Sequence, residues 1–422
     1  MLIALQAYLA AHTKISMHSE SPAPASQALC VALQRIIAAT GLTVAEVSRQ
    51  LGCAAATPLD QRLSTGQPAF SRDEIERLAQ ILQVSAADRV ELLRLCAGEA
   101  NPFIVGNAVP PERFYGRDTQ RQTIRHRIGG MVPQSISLIG FRRSGKSSLL
   151  NYIHECADAF CGKEQRPLVV PCSLAQSRMQ TPGALYEHLR RVIERKTGSS
   201  PWRQEENGDP YALDDSLEAL RDRGYRLIVL LDEFESLQRR LAAFGDWGND
   251  WRERAGVEGH FALVIASVRP LEEIYQPLGL TSPFGNIFTT AELGPFETAT
   301  WQQLVRDGFA QSGTSLSDHD FTLLDELAGG LPYYTQLAAY LLWSYRDQQR
   351  VRAEFALQAA PRFQELWDDL QPNERAALRH AAGLPGSAAP APGLLARMQR
   401  HGLLRADGRV FSAALAEWMR DS

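Results

Sequence analysis

The stretch that decides the fold is Gly140-Phe141-Arg142-Arg143-Ser144-Gly145-Lys146-Ser147, which fits the pattern G-x-x-x-x-G-K-[ST]. An apolar, strand-like run precedes it and an amphipathic, helix-like run follows it. Glycines let the backbone curl so that its N–H groups and the helix N-terminus face phosphate oxygens. The pattern therefore predicts a phosphate-binding loop, with an ordinary glycine turn as the alternative.

Lysine is rare in this chain and occurs only at positions 14, 146, 163 and 196, whereas arginine is frequent. A lysine here is most informative where the chemistry requires its compact charge. Lys146 is expected to reach the β- and γ-phosphates, and Ser147 to offer a hydroxyl to Mg²⁺. The expected ligands are therefore ATP and Mg²⁺, bound by residues 140–147 together with Ser148.

A second motif supplies carboxylates. Asp232 and Glu233 follow the apolar run 227–231, so a buried strand would deliver them to the sheet edge where ligands bind. Asp232 is expected to hold Mg²⁺, and Glu233 to orient and deprotonate the attacking water. The alternative is two carboxylates that only cap the next helix.

Arginines near a further strand-like run, 261–268, are also candidates. Arg269 ends this run, and its planar fork suits phosphate oxygens, so it could contact the γ-phosphate. An exposed surface arginine is the alternative. Arg252 and Arg254 precede the run, where an arginine finger for a neighbouring subunit is weighed against a solvated helix face.

Length and composition limit the classes of protein to which the chain can belong. The 422 residues suggest two to four domains, and the net charge of -4 gives no general attraction to nucleic acid. The six cysteines show no framework spacing and indicate reduced thiols. No stretch reaches the length of a membrane helix, so we expect a cytoplasmic protein without a membrane partner.

The periodicity predicts an α/β core with a parallel sheet covered by helices on both faces, because short apolar runs alternate with helical patterns. Helical segments flank this core on both sides. The predicted domains are a flexible leader at 1–27, a helix-turn-helix domain at 28–98, a linker at 99–111, the core at 112–295, a helical lid at 296–358 and a winged-helix domain at 359–422.

Residues 112–422 resemble the STAND branch of the AAA-like P-loop ATPases. Three motifs carry the resemblance beyond the phosphate loop: 114–118, 293–296 and 329–333. The resemblance implies that Tyr115, Gly116 and Arg117 pack near the nucleotide base and that Pro332 lies near the nucleotide. It also implies that Arg269 is a sensor arginine.

Two features depart from the STAND pattern. No repeat array follows the predicted winged helix, and the family's histidine near the end of that domain has no clear counterpart, since His401 precedes the predicted hairpin.

Residues 28–98 resemble the phage-repressor (XRE) type of helix-turn-helix domain. Thr43 with Glu46, and Ser71 with Glu74, form capping boxes that begin helices. The expected recognition helix offers Gln61, Arg62 and Ser64 as DNA contacts. However, the segment has seven arginines against seven acidic residues, so DNA binding and protein docking stay open as alternatives.

Together these patterns favour a slow ATPase that acts as a molecular switch in prokaryotic signalling, defence or transcription control. ATP would join the core to the lid and the winged helix, with self-association or an effector protein as the outcome. The alternatives are a DNA-binding ATPase of transposition-targeting or origin-recognition type, and an inactive nucleotide-binding scaffold.

Overall fold

The structure is a computed structural model and divides into two compact units. One comprises the residues up to Asn101 together with Ser344–Asp347, and the other comprises Pro102–Trp343 and Gln348–Ser422. The residues that the structure describes are 25–51, 59–65, 70–96, 101–179, 181–199, 211–239, 244, 247–275, 283–310, 316–385 and 389–421. The predicted leader, 1–27, lies outside them except for its last three residues.

The first unit is helical, as predicted. Both predicted capping boxes are present, at Thr43 with Glu46 and at Ser71 with Glu74, so both helix starts are confirmed. Apolar side chains such as Leu33, Val47 and Leu78 form its core. Its helices are α1 (Ala25–Thr40), α2 (Val44–Gln50), α3 (Leu59–Thr65), α4 (Arg72–Ile81) and α5 (Ala86–Cys96).

Arg62, one of the three expected DNA contacts, lies inside this unit. Its side chain is 5% exposed and donates to both carboxylate oxygens of Glu74, at 2.8 and 3.1 Å. The guanidinium also lies over the ring of Phe70. The pKa of Glu74 falls to about 2, chiefly because Arg62 hydrogen-bonds its charged form. Arg62 thus stabilises the unit, and only Gln61 and Ser64 remain exposed candidates.

The second unit is built on the predicted parallel sheet. Its five strands lie in the order β2-β3-β4-β1-β5, and every neighbouring pair is parallel. The strands are β1 (Ser135–Ile139), β2 (Arg166–Ser173), β3 (Tyr225–Asp232), β4 (Phe261–Ser267) and β5 (Phe288–Glu292). Because β4 lies between β1 and β3, the carboxyl ends of these three strands meet at one edge.

Helices cover both faces of the sheet. Ile228 and Leu230 belong to the core on one face, and Val229 and Leu231 to the core on the other, as the twofold alternation of a strand requires. Both faces are apolar, which is why the strand sequences are almost continuously hydrophobic. The helices of this part are α6 (Asp118–Ile128), α7 (Lys146–Glu155), α8 (Pro182–Thr197), α9 (Ala212–Asp222), α10 (Trp247–Arg252) and α11 (Leu271–Tyr275).

The C-terminal third is helical. An isolated antiparallel bridge joins Leu404 to Val410 where a small hairpin is predicted. A single helix, α15, runs across the predicted boundary between the lid and the winged helix at 358/359. The helices are α12 (Thr298–Ala310), α13 (Asp318–Ala328), α14 (Pro332–Tyr345), α15 (Gln348–Asp369), α16 (Pro372–Ala381), α17 (Pro392–Arg400) and α18 (Ala413–Asp421).

The segment expected to be a linker, 99–111, packs against the second unit from Pro102 onward. Phe103 is buried against Phe309 and Trp343. Val109 donates its amide to the hydroxyl of Ser148, at 3.3 Å. This segment therefore reaches the first turn of α7, next to the phosphate loop.

Among the described residues, no single helix has the length and apolar character needed to cross a membrane. The bent pair Leu29–Thr40 and Val44–Gln50 passes that test by length and composition alone.

Candidate nucleotide site

The phosphate loop connects β1 to α7 and depends on two glycines. Gly145 has φ +93°, a left-handed conformation that favours glycine. A Cβ on Gly140 would lie 2.5 Å from the Ser144 hydroxyl oxygen and 2.7 Å from the Leu293 carbonyl oxygen. Larger residues at these two positions would distort the loop, which explains the glycines of the motif.

Lys146 and Ser147 begin α7, where unpaired backbone N–H groups favour anions. The Lys146 side chain is almost buried, and its ammonium donates to the carbonyl oxygens of Gly140 and Phe141, at 2.6 and 3.1 Å. Burial lowers the pKa of Lys146. The ammonium thus lies within the curl of the loop.

Ser147 and Asp232 meet across the site. The Ser147 hydroxyl donates to the Asp232 carboxylate at 2.7 Å, so the two predicted Mg²⁺ ligands are brought together by β1 and β3. Hydroxyl and carboxylate oxygens are the hard donors that Mg²⁺ prefers. The residues present therefore fit the expected ion.

Two glutamates follow Asp232 and point to different neighbours. Glu233 has φ +56°, an unusual conformation outside glycine, and accepts a hydrogen bond from the Ser173 hydroxyl at 2.9 Å. Glu235 accepts the amide of Val268 at 3.3 Å. Glu233 is predicted from the sequence, whereas Glu235 is not.

Residues 114–118, which were predicted to pack near the nucleotide base, contact the phosphate loop. Burial lowers the pKa of Arg117 to about 10. Its guanidinium donates to the carbonyl oxygens of Ser144 and Gly294, at 3.0 and 2.7 Å. The Tyr115 hydroxyl donates to Asp307 at 3.0 Å. A Cβ on Gly116 would lie 2.7 Å from the Thr300 methyl. This motif therefore ties the phosphate loop to α12.

A cavity of about 160 Å³ adjoins the loop. Tyr115, Arg117 and Pro332 line it, together with Ser147 and Ser148 of α7. The motifs 114–118 and 329–333, which are far apart in the sequence, thus meet the phosphate loop at one cavity. Its remaining walls come from Ile104, Gly106–Val109, Arg113, Phe114, Arg143, Gly145, Phe296, Leu304, Tyr333 and Gln336.

Arg269, the predicted sensor arginine, contacts the C-terminal helices. It donates to the carbonyl oxygen of Asp369 at 2.6 Å and to the carboxylate of Glu374 at 3.0 Å. Arg397 of α17 binds the same Glu374 carboxylate, which is 1% exposed. Both arginines also pair with Glu273 of α11. We call these four side chains, Arg269, Glu273, Glu374 and Arg397, the latch cluster.

Further contacts join the phosphate loop to the same helices. Arg142 forms an ion pair with Asp369, and Arg143 with Glu365 at 3.4 Å, both on α15. The ring of Phe141 meets the buried ring of His401 edge-on, with centroids 5.3 Å apart. Three consecutive loop residues thus contact the C-terminal segment.

The two arginines weighed as arginine fingers have intramolecular partners. Arg254 forms an ion pair with Asp214 of α9, and its side chain is 16% exposed. Arg252 pairs with the neighbouring Glu253. Neither observation favours a role in a neighbouring subunit.

Sequence reasoning missed Glu235 and Glu374 as site residues, and it considered His401 but set it aside. Glu374 has the signal of a helix start, since it caps α16 through the Gln371 amide at 2.8 Å. No local pattern shows that two arginines from distant segments share it.

Comparisons with known proteins identify the fold only. No protein-family model matches the chain, and no curated protein matches it. Among solved structures, the chain is similar to a Walker-type ATPase of Pyrococcus abyssi, with a TM-score of 0.57 and 17% identity, over 76% of this chain and 99% of that one. The sheet, the phosphate loop and this likeness define the fold of a P-loop ATPase.

Two further solved structures are less similar to this chain, and nothing is inferred from them. The ORC2 protein of Aeropyrum pernix, in a structure with ADPNP and ADP, is 14% identical with a TM-score of 0.44, over 74% of this chain and 95% of that one. Cdc6p of Pyrobaculum aerophilum is 14% identical with a TM-score of 0.42, over 76% and 98%.

Proposed function

We propose that the chain binds and hydrolyses ATP with Mg²⁺ and acts as a nucleotide-controlled switch of STAND type. The observation that carries the proposal is the pairing of Ser147 with Asp232 beside a buried Lys146. These three groups supply the phosphate and metal contacts of the reaction at one sheet edge.

Each residue has a distinct part in the proposed reaction. Lys146 and the loop amides bind the phosphates, while Ser147 and Asp232 would hold Mg²⁺, which neutralises charge on the phosphate oxygens. Glu233 receives the proton of the attacking water, and the Ser173 hydroxyl orients its carboxylate. The cavity beside Tyr115 and Pro332 takes the base and ribose.

The switch is proposed from the ion pairs that hold the C-terminal helices. Arg142 and Arg143 belong to the phosphate loop and Arg269 follows β4, and each of the three pairs with an acidic group of α15 or α16. A γ-phosphate would compete with these carboxylates, because arginine binds both in the same forked geometry. ATP would then loosen α15–α17 from the core. This order is opposite to the one expected from the sequence, in which ATP joins the segments.

Glu233→Gln tests the assignment of the base. The amide cannot accept the proton, so ATP hydrolysis should fall roughly 100-fold, while the dissociation constant for ATP changes less than about threefold. Phosphate release and calorimetric titration measure the two quantities. Glu164→Gln is the matched control, an exposed glutamate that should leave both unchanged. An unchanged rate in Glu233→Gln would remove Glu233 from the mechanism.

No described contact favours the origin-recognition or transposition-targeting alternative over the switch. Arg62, one of the three DNA contacts expected from the sequence, is buried. Self-association and an effector protein remain the proposed partners of the switch.

A further inference from the structure

We infer that Glu235 is a positioning residue that makes the site distinguish ATP from ADP and links the γ-phosphate to Arg269. The inference rests on the proposed function, since it concerns the same nucleotide site. It assigns a role to a carboxylate that the reaction described above does not use.

The position of Glu235 joins two parts of the site. Its carboxylate accepts the amide of Val268, the residue that immediately precedes Arg269. Arg269 in turn holds the Asp369 carbonyl and Glu374 of the latch cluster. Because of this hydrogen bond, a displacement of Glu235 would also move the residues that follow β4, including Arg269.

The charges around Glu235 show what would displace it. Lys146 and Arg142 of the phosphate loop are the cations that act on its carboxylate. Its negative charge likewise acts on Lys146, along with that of Asp232. Burial raises the pKa of Glu235, whereas Lys146, Arg142 and the backbone amides stabilise its charged form. The negative charge of Glu235 thus partly neutralises Lys146 and Arg142, the same cations that would bind the phosphates of ATP.

The γ-phosphate brings additional negative charge to these cations. Lys146 would transfer its interaction from Glu235 to the phosphate, and the two anions would repel one another in a partly desolvated site. ADP lacks this group and leaves Glu235 in place. The Glu235 carboxylate therefore weakens ATP binding more than ADP binding. Repulsion from the γ-phosphate would also move Glu235, and with it the Val268–Arg269 turn to which it is hydrogen-bonded.

Glu233 does not fill this role, because it faces the opposite neighbour. Its carboxylate accepts from Ser173 at the end of β2, whereas Glu235 binds the end of β4. The two glutamates therefore have different roles: Glu233 takes part in hydrolysis, and Glu235 makes the site distinguish ATP from ADP.

The test measures dissociation constants for Mg²⁺-ATP and Mg²⁺-ADP in the full chain. Glu235→Gln keeps an oxygen acceptor for Val268 but removes the charge. ATP affinity should rise about tenfold and ADP affinity less than about threefold, since a nearby charge pair is worth this much at a partly buried site. Glu235→Asp keeps the charge and should retain the wild-type ratio of the two constants.

The outcomes separate this inference from the proposed function. Equal shifts for both nucleotides, no shift, or the same change in ratio for Glu235→Asp would overturn the role of Glu235 while leaving ATP binding intact. A wild-type chain that binds neither nucleotide would instead overturn the proposed function itself. Glu417→Gln on α18 is the exposed control and should match wild type. If Glu235→Gln fails to fold by circular dichroism, Glu235→Ala removes the same charge and takes its place: a selective gain in ATP affinity supports the inference, and an unchanged ratio overturns it.

Discussion

Lys146→Ala should weaken ATP binding about 1000-fold and abolish measurable hydrolysis. The ammonium lies within the curl of the loop, and charge-assisted hydrogen bonds to two phosphates contribute roughly 2 kcal/mol each. Removal also leaves the carbonyl oxygens of Gly140 and Phe141 without this donor. Calorimetric titration with ATP and a phosphate-release assay measure both effects.

The chain offers a matched control in Lys163, one of its four lysines, which is exposed. Lys163→Ala should bind and hydrolyse ATP as wild type does. Full ATP binding by Lys146→Ala would show that the loop is not the phosphate site, whatever its sequence pattern.

Glu374→Ala should release the C-terminal helices from the core without any nucleotide. The carboxylate is 1% exposed and is shared by Arg269 and Arg397, so its loss leaves both arginines with Glu273 as their remaining shared acceptor. Removing one partner of such a buried pair costs about 3–5 kcal/mol. Urea unfolding followed by tryptophan fluorescence should show this part unfolding at a lower urea concentration.

Two further variants separate the latch from other effects of this change. Glu374→Gln keeps an oxygen for the Gln371 amide and should restore the helix cap but not the ion pairs. Glu326→Ala breaks a surface pair with Arg352, whose side chains are 46% and 45% exposed, and should cost less than about 1 kcal/mol. Equal losses for Glu374→Ala and Glu326→Ala would mean that the latch cluster contributes no more than a surface ion pair.

The core was predictable because its signals are local. Each strand is a short apolar run, and the phosphate loop is a contiguous motif whose glycines have a direct conformational cause. The capping boxes at Thr43 and Ser71 are equally local, since each needs only the glutamate three residues onward. These features appear in the structure where the sequence places them.

The contacts that differ from expectation are all long-range. Arg62 has the spacing of a recognition-helix residue, but its burial depends on Glu74 and Phe70 in the next helix. Glu374 and Arg269 are more than a hundred residues apart. The helix α15 also crosses a predicted domain boundary, because its apolar face continues past residue 358 to Phe363 and Leu366. Local patterns carry no information on such partners.

The most direct test of the account compares hydrogen exchange in the chain with Mg²⁺-ATP, with Mg²⁺-ADP and without nucleotide, using Glu233→Gln to prevent hydrolysis. We expect ATP to protect the loop 140–147 and to speed exchange in α16 and α17 at least several-fold, because the γ-phosphate draws the arginines away from Glu374 and Asp369. ADP should protect the loop and leave α16 and α17 slow. Protection of α16 and α17 by ATP, or identical exchange there in all three states, would contradict the account.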